Sequence, residues 1–154
     1  MFNPYELLKQ QQDLRLTIKQ LPDGLRGTYL QKEEIKIIVL NKKLNQVERR
    51  CTLTHELAHY FLGHYGDYFS INNYTAECWH NKQEYLANVW ATDRLIETPK
   101  LLKIIQADHQ YTLDDICDMF WVTQEFMFFK LQRLVNLGYL NNFFMPDITR
   151  YTDR

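Results

Sequence analysis

Apolar and polar positions alternate or recur along this chain in stretches that predict its elements in order. Asn3-Pro4-Tyr5-Glu6 carries an N-cap residue, a proline at the first helical position and a capping-box glutamate, so a short helix is expected to open the fold. From Leu14 to Leu21 apolar and polar residues alternate, the period of a half-buried strand, and Pro22-Asp23-Gly24 is a turn signal. Two further strands are expected at Leu25 to Leu30 and Ile35 to Leu40, joined near Lys32-Glu33-Glu34. Together these predict a hairpin and then a three-stranded antiparallel sheet.

The period then changes. Leu53, Leu57, Tyr60, Phe61 and His64 repeat at helical spacing, roughly opposite a ridge of Cys51, His55 and His59, which predicts a long helix from about Gln46 to Tyr65. A second amphipathic helix is expected over Asn81 to Ile96, where Glu84, Asn88 and Ala91 share a face bordered by Ala87. In the last third, Thr112 to Asp115 caps a helix, Phe120-Trp121-Val122 makes a turn, and Thr123 caps another helix through Leu134 to Gly138, the outline of a helix-turn-helix.

The chemistry lies in His55-Glu56-Leu57-Ala58-His59, an HExxH motif. Positions i and i+4 of a helix lie on one face about 6 Å apart, close enough for two imidazoles to reach one metal ion. Glu56 stands about 100° further round, beside the metal, where it can take a proton from a water that Zn2+ has acidified. A catalytic zinc takes three protein ligands and one open position, so a third ligand must come from elsewhere. His64 follows His59 by five residues, about 140° round a continuous helix and on its apolar stripe, and is read as a packed or surface histidine. Glu84 is the better candidate. Ala87 and Ala91 would let its helix approach the motif helix closely, and Asn88 could hydrogen-bond a ligand. Glu77, Cys78 and His80, between the two helices, are rivals to Glu84. Tyr65 and His80 are candidates to donate a hydrogen bond to the oxyanion formed during attack, and the sequence does not choose between them.

Arg49 to Tyr60, followed by Glu84-Tyr85-Leu86-Ala87-Asn88, resembles the ImmA/IrrE family of metallopeptidases, with its R-x-T-x-A-H-E-L-x-H pattern and later E-x-x-A-N helix. The similarity runs from about residue 35 to about residue 140. It implies a zincin-like core with His55, His59 and Glu84 as ligands of one Zn2+, Glu56 as acid and base, and a transcriptional repressor of a phage or mobile element as substrate. Thr54 departs from the family's usual alanine and Cys51 from its bulky apolar residue, and neither change removes a ligand or the base. Cys51 is read as a small buried thiol. His2Glu ligation also accepts Mn2+ or Fe2+. In zincins the cleft commonly lies beside a sheet edge, where an extended substrate can bind by strand addition.

Composition narrows the remaining classes. With 154 residues, 45% of them hydrophobic, the chain suits one α+β domain over residues 1–140: helix and sheet in 1–45, metal-site helices in 46–98 and a helical unit in 99–140. Residues 141–154 are expected to form an extension. The cysteines, Cys51, Cys78 and Cys117, are odd in number and widely spaced, which suits reduced thiols. No apolar run approaches the roughly 20 residues of a membrane span, and Met1-Phe2-Asn3-Pro4 does not open a signal peptide, so a cytoplasmic location is expected. A net charge of −1 and a pI near 6.5 suit phosphate binding poorly, and the second helix of the carboxy-terminal pair opens with Glu125, Phe126, Met127, Phe128 and Phe129. Direct nucleic-acid binding is therefore not expected. That helical unit is read as a packing or docking element, its aromatics serving the core or a patch for the substrate or a second copy. The alternatives to proteolysis are an antirepressor that acts by binding alone, which has no need of Glu56, and a DNA-binding regulator.

Overall fold

The computed structural model describes residues 1–64, 74–107 and 111–141, with residues 74–80 described by backbone alone. Its elements are α1 (Pro4–Lys9), β1 (Leu14–Lys19), β2 (Gly27–Lys32), β3 (Ile35–Asn41), α2 (Gln46–Leu62), α3 (Tyr74–Leu95), α4 (Thr98–Gln106), α5 (Leu113–Phe120) and α6 (Gln124–Asn136). A mixed α+β architecture results.

The sheet differs from the antiparallel one that alternation predicts. Strand β3, the most apolar, takes the centre in the order β1-β3-β2, pairing antiparallel with β2 and parallel with β1. Pro22 to Gly24 therefore does not close a hairpin. The connection over residues 20–26 exceeds the two to five residues that favour hairpin closure and is long enough to straddle a strand. Asn41, at the end of β3, holds that connection in place. Its side-chain amide donates to Leu25 O at 2.9 Å, its backbone N–H donates to Arg26 O at 2.8 Å, and the next amide, Lys42, donates to Lys19 O at 2.8 Å. Between β2 and β3 the reversal does fall at Glu33, whose φ of 55° makes the tight turn.

Asn45 caps α2, accepting from the Glu48 amide while the Glu48 carboxylate accepts from the Asn45 amide. One side of this helix packs on the inner sheet face, where Leu53 and Leu57 meet Leu14, Tyr29, Ile38 and Leu40. Cys51, on the other side, joins a second core with Leu95, Ile96, Leu101, Phe120, Met127 and Leu134. Phe61 lies largely outside both, stacked on Trp90 with ring centroids 5.5 Å apart. The helix stops at Leu62, three residues short of the expected Tyr65, because Gly63 turns the chain with a φ of 67°.

Buried polar contacts fix the carboxy-terminal helices to this frame. Arg50, only 3% exposed, donates to Phe120 O at 3.1 Å, Trp121 O at 2.8 Å and Phe2 O at 3.1 Å. These include carbonyls that the end of α5 leaves without helical partners. Capping by Thr112 starts α5, Trp121 in the left-handed region ends it, and Thr123 caps α6, the boundaries that the capping signals predict. Lys130 of α6, 1% exposed, reaches Asp93 of α3 at 2.5 Å, and Arg133 reaches the same carboxylate at 2.7 Å. Arg26 adds a two-pronged ion pair with Glu125. Phe120 and Met127 are buried while Trp121 and Tyr139 are exposed, so the apolar residues of this region divide between core and surface. Phe143, Phe144 and nearly all of the expected extension lie outside the described residues. Among the described residues no helix is long and apolar enough to cross a membrane.

Candidate metal centre

Helical periodicity puts His55 and His59 one turn apart on α2, and their Nε2 atoms lie 3.1 Å from each other. Helix α3 packs alongside with Ala87 and Ala91 fully buried, and its Glu84 straddles the pair. Glu84 Oε2 stands 3.1 Å from His55 Nε2, and Oε1 stands 3.1 Å from His59 Nε2. Two ligands bound at about 2.0–2.1 Å to a tetrahedral ion sit about 3.3 Å apart, so this spacing suits a divalent cation between them. Two imidazoles and a carboxylate form a donor set that zinc accepts.

The electrostatics agree with that geometry. Burial pushes the Glu84 carboxyl up, but hydrogen bonds from His55 and His59 outweigh it and hold the group well below the usual carboxylate range. Burial likewise opposes the charged form of His55, yet Glu84, Glu56 and a hydrogen bond with the Asn88 side chain raise it overall. Asn88 thus stands near the ligand-bearing ring, one turn after Glu84 on α3.

Glu56, 6% exposed, lies close enough to His55, His59 and Glu84 to feel their charges. Burial pushes its carboxyl up, against the pull of the neighbouring imidazoles and of a hydrogen bond from the backbone amide of Tyr29 in β2. The Arg26–Asn41 ladder bond means that Gly27, Tyr29 and Gln31 alternate with the β3-bonded positions and direct their backbone groups away from β3. Both β1 and β2 are edge strands, and it is the outer edge of β2 that adjoins Glu56.

Other candidates fall elsewhere. Cys51 turns away to hydrogen-bond Thr123, and its thiol is pushed up by burial. Thr54, where alanine is usual, is buried and donates to Arg50 O at 2.7 Å, a local bond that satisfies its hydroxyl. Helix α3 begins at Tyr74 rather than near Asn81, so Glu77, Cys78 and His80 stand on its backbone and not between the helices, while their side chains and Tyr65 lie outside the described residues. His64 corrects the sequence reading: it is not on the apolar stripe, since α2 has already ended, and its Nδ1 lies 3.1 Å from His59 Nδ1. Gly63 was the available signal, a C-cap glycine that ends helical counting before residue 64.

A protein named "Uncharacterized immunity region protein 2", from Bacillus phage phi105, is 31% identical over 153 residues, covering 92% of this chain and 84% of its own length. Among solved structures, a Mycobacterium tuberculosis transcriptional regulator matches with a TM-score of 0.63 at 19% identity. That likeness is one of fold, covering 84% of this chain while the chain spans 39% of the regulator. A family profile described as the IrrE N-terminal-like domain matches residues 9–132, beginning well before the motif-bearing stretch. The chain belongs to the Peptidase_M78 family.

Proposed function

We propose that this chain is a zinc-dependent, site-specific endopeptidase that inactivates a transcriptional repressor of a phage or mobile element by cutting it. The observation that carries the reading is the convergence of His55, His59 and Glu84 at mutual donor distances of 3.1 Å, with buried Glu56 beside them. The chemistry a bound Zn2+ supplies there is Lewis acidity, which polarises a peptide carbonyl and brings the pKa of water near neutrality. Glu56 takes the proton of the attacking water and returns it to the leaving amine. The Tyr29 amide fixes the direction of its carboxylate, and Asn88 steadies His55. An extended substrate segment aligns along the outer edge of β2.

The substrate class draws support from the family and from the similarity to a phage immunity region protein. We read residues 1–140 as one cytoplasmic metallopeptidase domain whose α5–α6 pair, though helix-turn-helix in outline, is a packing or docking element. The engagement of Lys130 and Arg133 by Asp93 supports this, because Lys130 is buried and both cations are paired with a carboxylate rather than offered to phosphates.

The test is to express the parent chain and Glu56→Gln in the repressor-bearing host and compare new protein amino termini by mass spectrometry. The proposal expects a repressor-derived terminus with the parent alone. Identical termini with both chains, alongside loss of repression in both, would move the binding-only mechanism ahead of proteolysis.

A further inference from the structure

Helix α2 ends in a way that returns the chain to the metal centre. At Gly63, in the left-handed region, the backbone turns back, so that the Gly63 amide donates to Tyr60 O at 3.3 Å and the His64 amide to His59 O at 2.9 Å. His64 is thereby carried over the last turn. Its ring lies edge-on to that of His59, with centroids 5.2 Å apart and Nδ1 atoms 3.1 Å apart.

His59 uses its two nitrogens for different tasks. Nε2 faces His55 Nε2 and Glu84 Oε1, each at 3.1 Å, while Nδ1 faces His64. Neutral imidazole carries one proton, so Nε2 can offer a lone pair to a cation only when the proton sits on Nδ1. His59 is almost fully buried, and a buried N–H without an acceptor is costly. The Nδ1 lone pair of His64 is at the distance to receive it. Were the bond reversed, with His64 donating, the His59 proton would sit on Nε2 and block ligation.

We infer that His64 is a positioning residue for the metal centre: it accepts the Nδ1–H of His59, fixing the ring's tautomer and orientation, and does not itself ligate. Its contact is at the far edge of His59 from Glu84, which separates this role from that of a fourth ligand. Gly63 takes part by making the return possible. The inference rests on the His55, His59 and Glu84 metal reading.

The experiment measures zinc affinity of the metal-free parent, His64→Ala and His64→Asn by competition with a chromophoric chelator, with circular dichroism to verify that each chain is folded. His64→Ala is expected to bind zinc about 10- to 100-fold more weakly with unchanged stoichiometry. In His64→Asn most of that loss is expected to be recovered, because Asn Oδ1 stands where Nδ1 stood and accepts the same hydrogen bond. Parent-like affinity in His64→Ala overturns the inference, as does an asparagine variant no tighter than the alanine variant. A parent chain that binds no zinc overturns the metal reading itself, and is distinguished by appearing without any substitution.

Discussion

Gly27 of β2 faces Thr52 of α2 so closely that a Cβ at position 27 would stand 2.6 Å from the Thr52 methyl carbon. This contact lies two residues before Tyr29, whose amide holds Glu56, and four residues before Glu56 on the helix. The missing side chain thus lets the sheet edge approach the motif helix where the two meet at the site.

Gly27→Ala is accordingly expected to destabilise the chain by about 1–3 kcal/mol, the range for inserting a carbon into a packed contact. Thr52→Ser, which removes the opposing methyl, is expected to recover much of that loss when combined with it. Urea denaturation of the two single variants and the double variant measures the coupling. Additive losses would mean that the Gly27–Thr52 contact is not what limits the approach.

Asp93 neutralises Lys130 and also binds Arg133, and Lys130 is the most buried cation among the described residues. Asp93→Ala leaves that ammonium without its partner. A loss of about 2–3 kcal/mol is expected, the scale of a hydrogen bond to a charged group, moderated because Asp93 is partly exposed. Lys130→Met in the Asp93→Ala background should then restore stability, since it removes the unpaired charge while keeping the volume. Thermal unfolding distinguishes this from simple loss of a surface contact, for which the second substitution would have no restoring effect.

Cys51 and Cys117 are free and buried, and burial pushes the Cys117 thiol up to about 12 from an ordinary value of 9.0. The shift alone reduces its thiolate fraction near neutral pH by about a thousand-fold. In a Cys78→Ser background, neither thiol is expected to react with an aromatic disulfide reagent until denaturant is added. Rapid labelling of the folded chain would show that the second core opens readily.

The parts of this fold that follow local rules were legible in the sequence. Asn3, Thr112 and Thr123 carry side chains that satisfy helical amides, so these helix starts could be placed. The convergence of His55 and His59 follows from a four-residue step, and Glu84 shares a face with Asn88 and with the alanines that permit close packing. Strand order was not legible, because Pro22 to Gly24 signals a turn whether the chain closes a hairpin or crosses a strand. In the fold the crossing loop is held by Asn41, a residue distant in sequence whose side-chain amide donates to Leu25 O. The Tyr29 amide on Glu56 left no trace either, since every residue except proline carries that group. His64 was misplaced by extending helical counting through Gly63, where the helix had stopped.

Metal content of the purified chain, measured by elemental mass spectrometry beside His59→Ala and Glu84→Ala, tests the central claim most directly. The account predicts about one zinc per parent chain, with both variants losing it or holding it weakly. A parent chain that takes up no metal even after zinc is added, or a Glu84→Ala variant that retains it undiminished, would contradict the His2Glu centre on which the proposed peptidase chemistry depends.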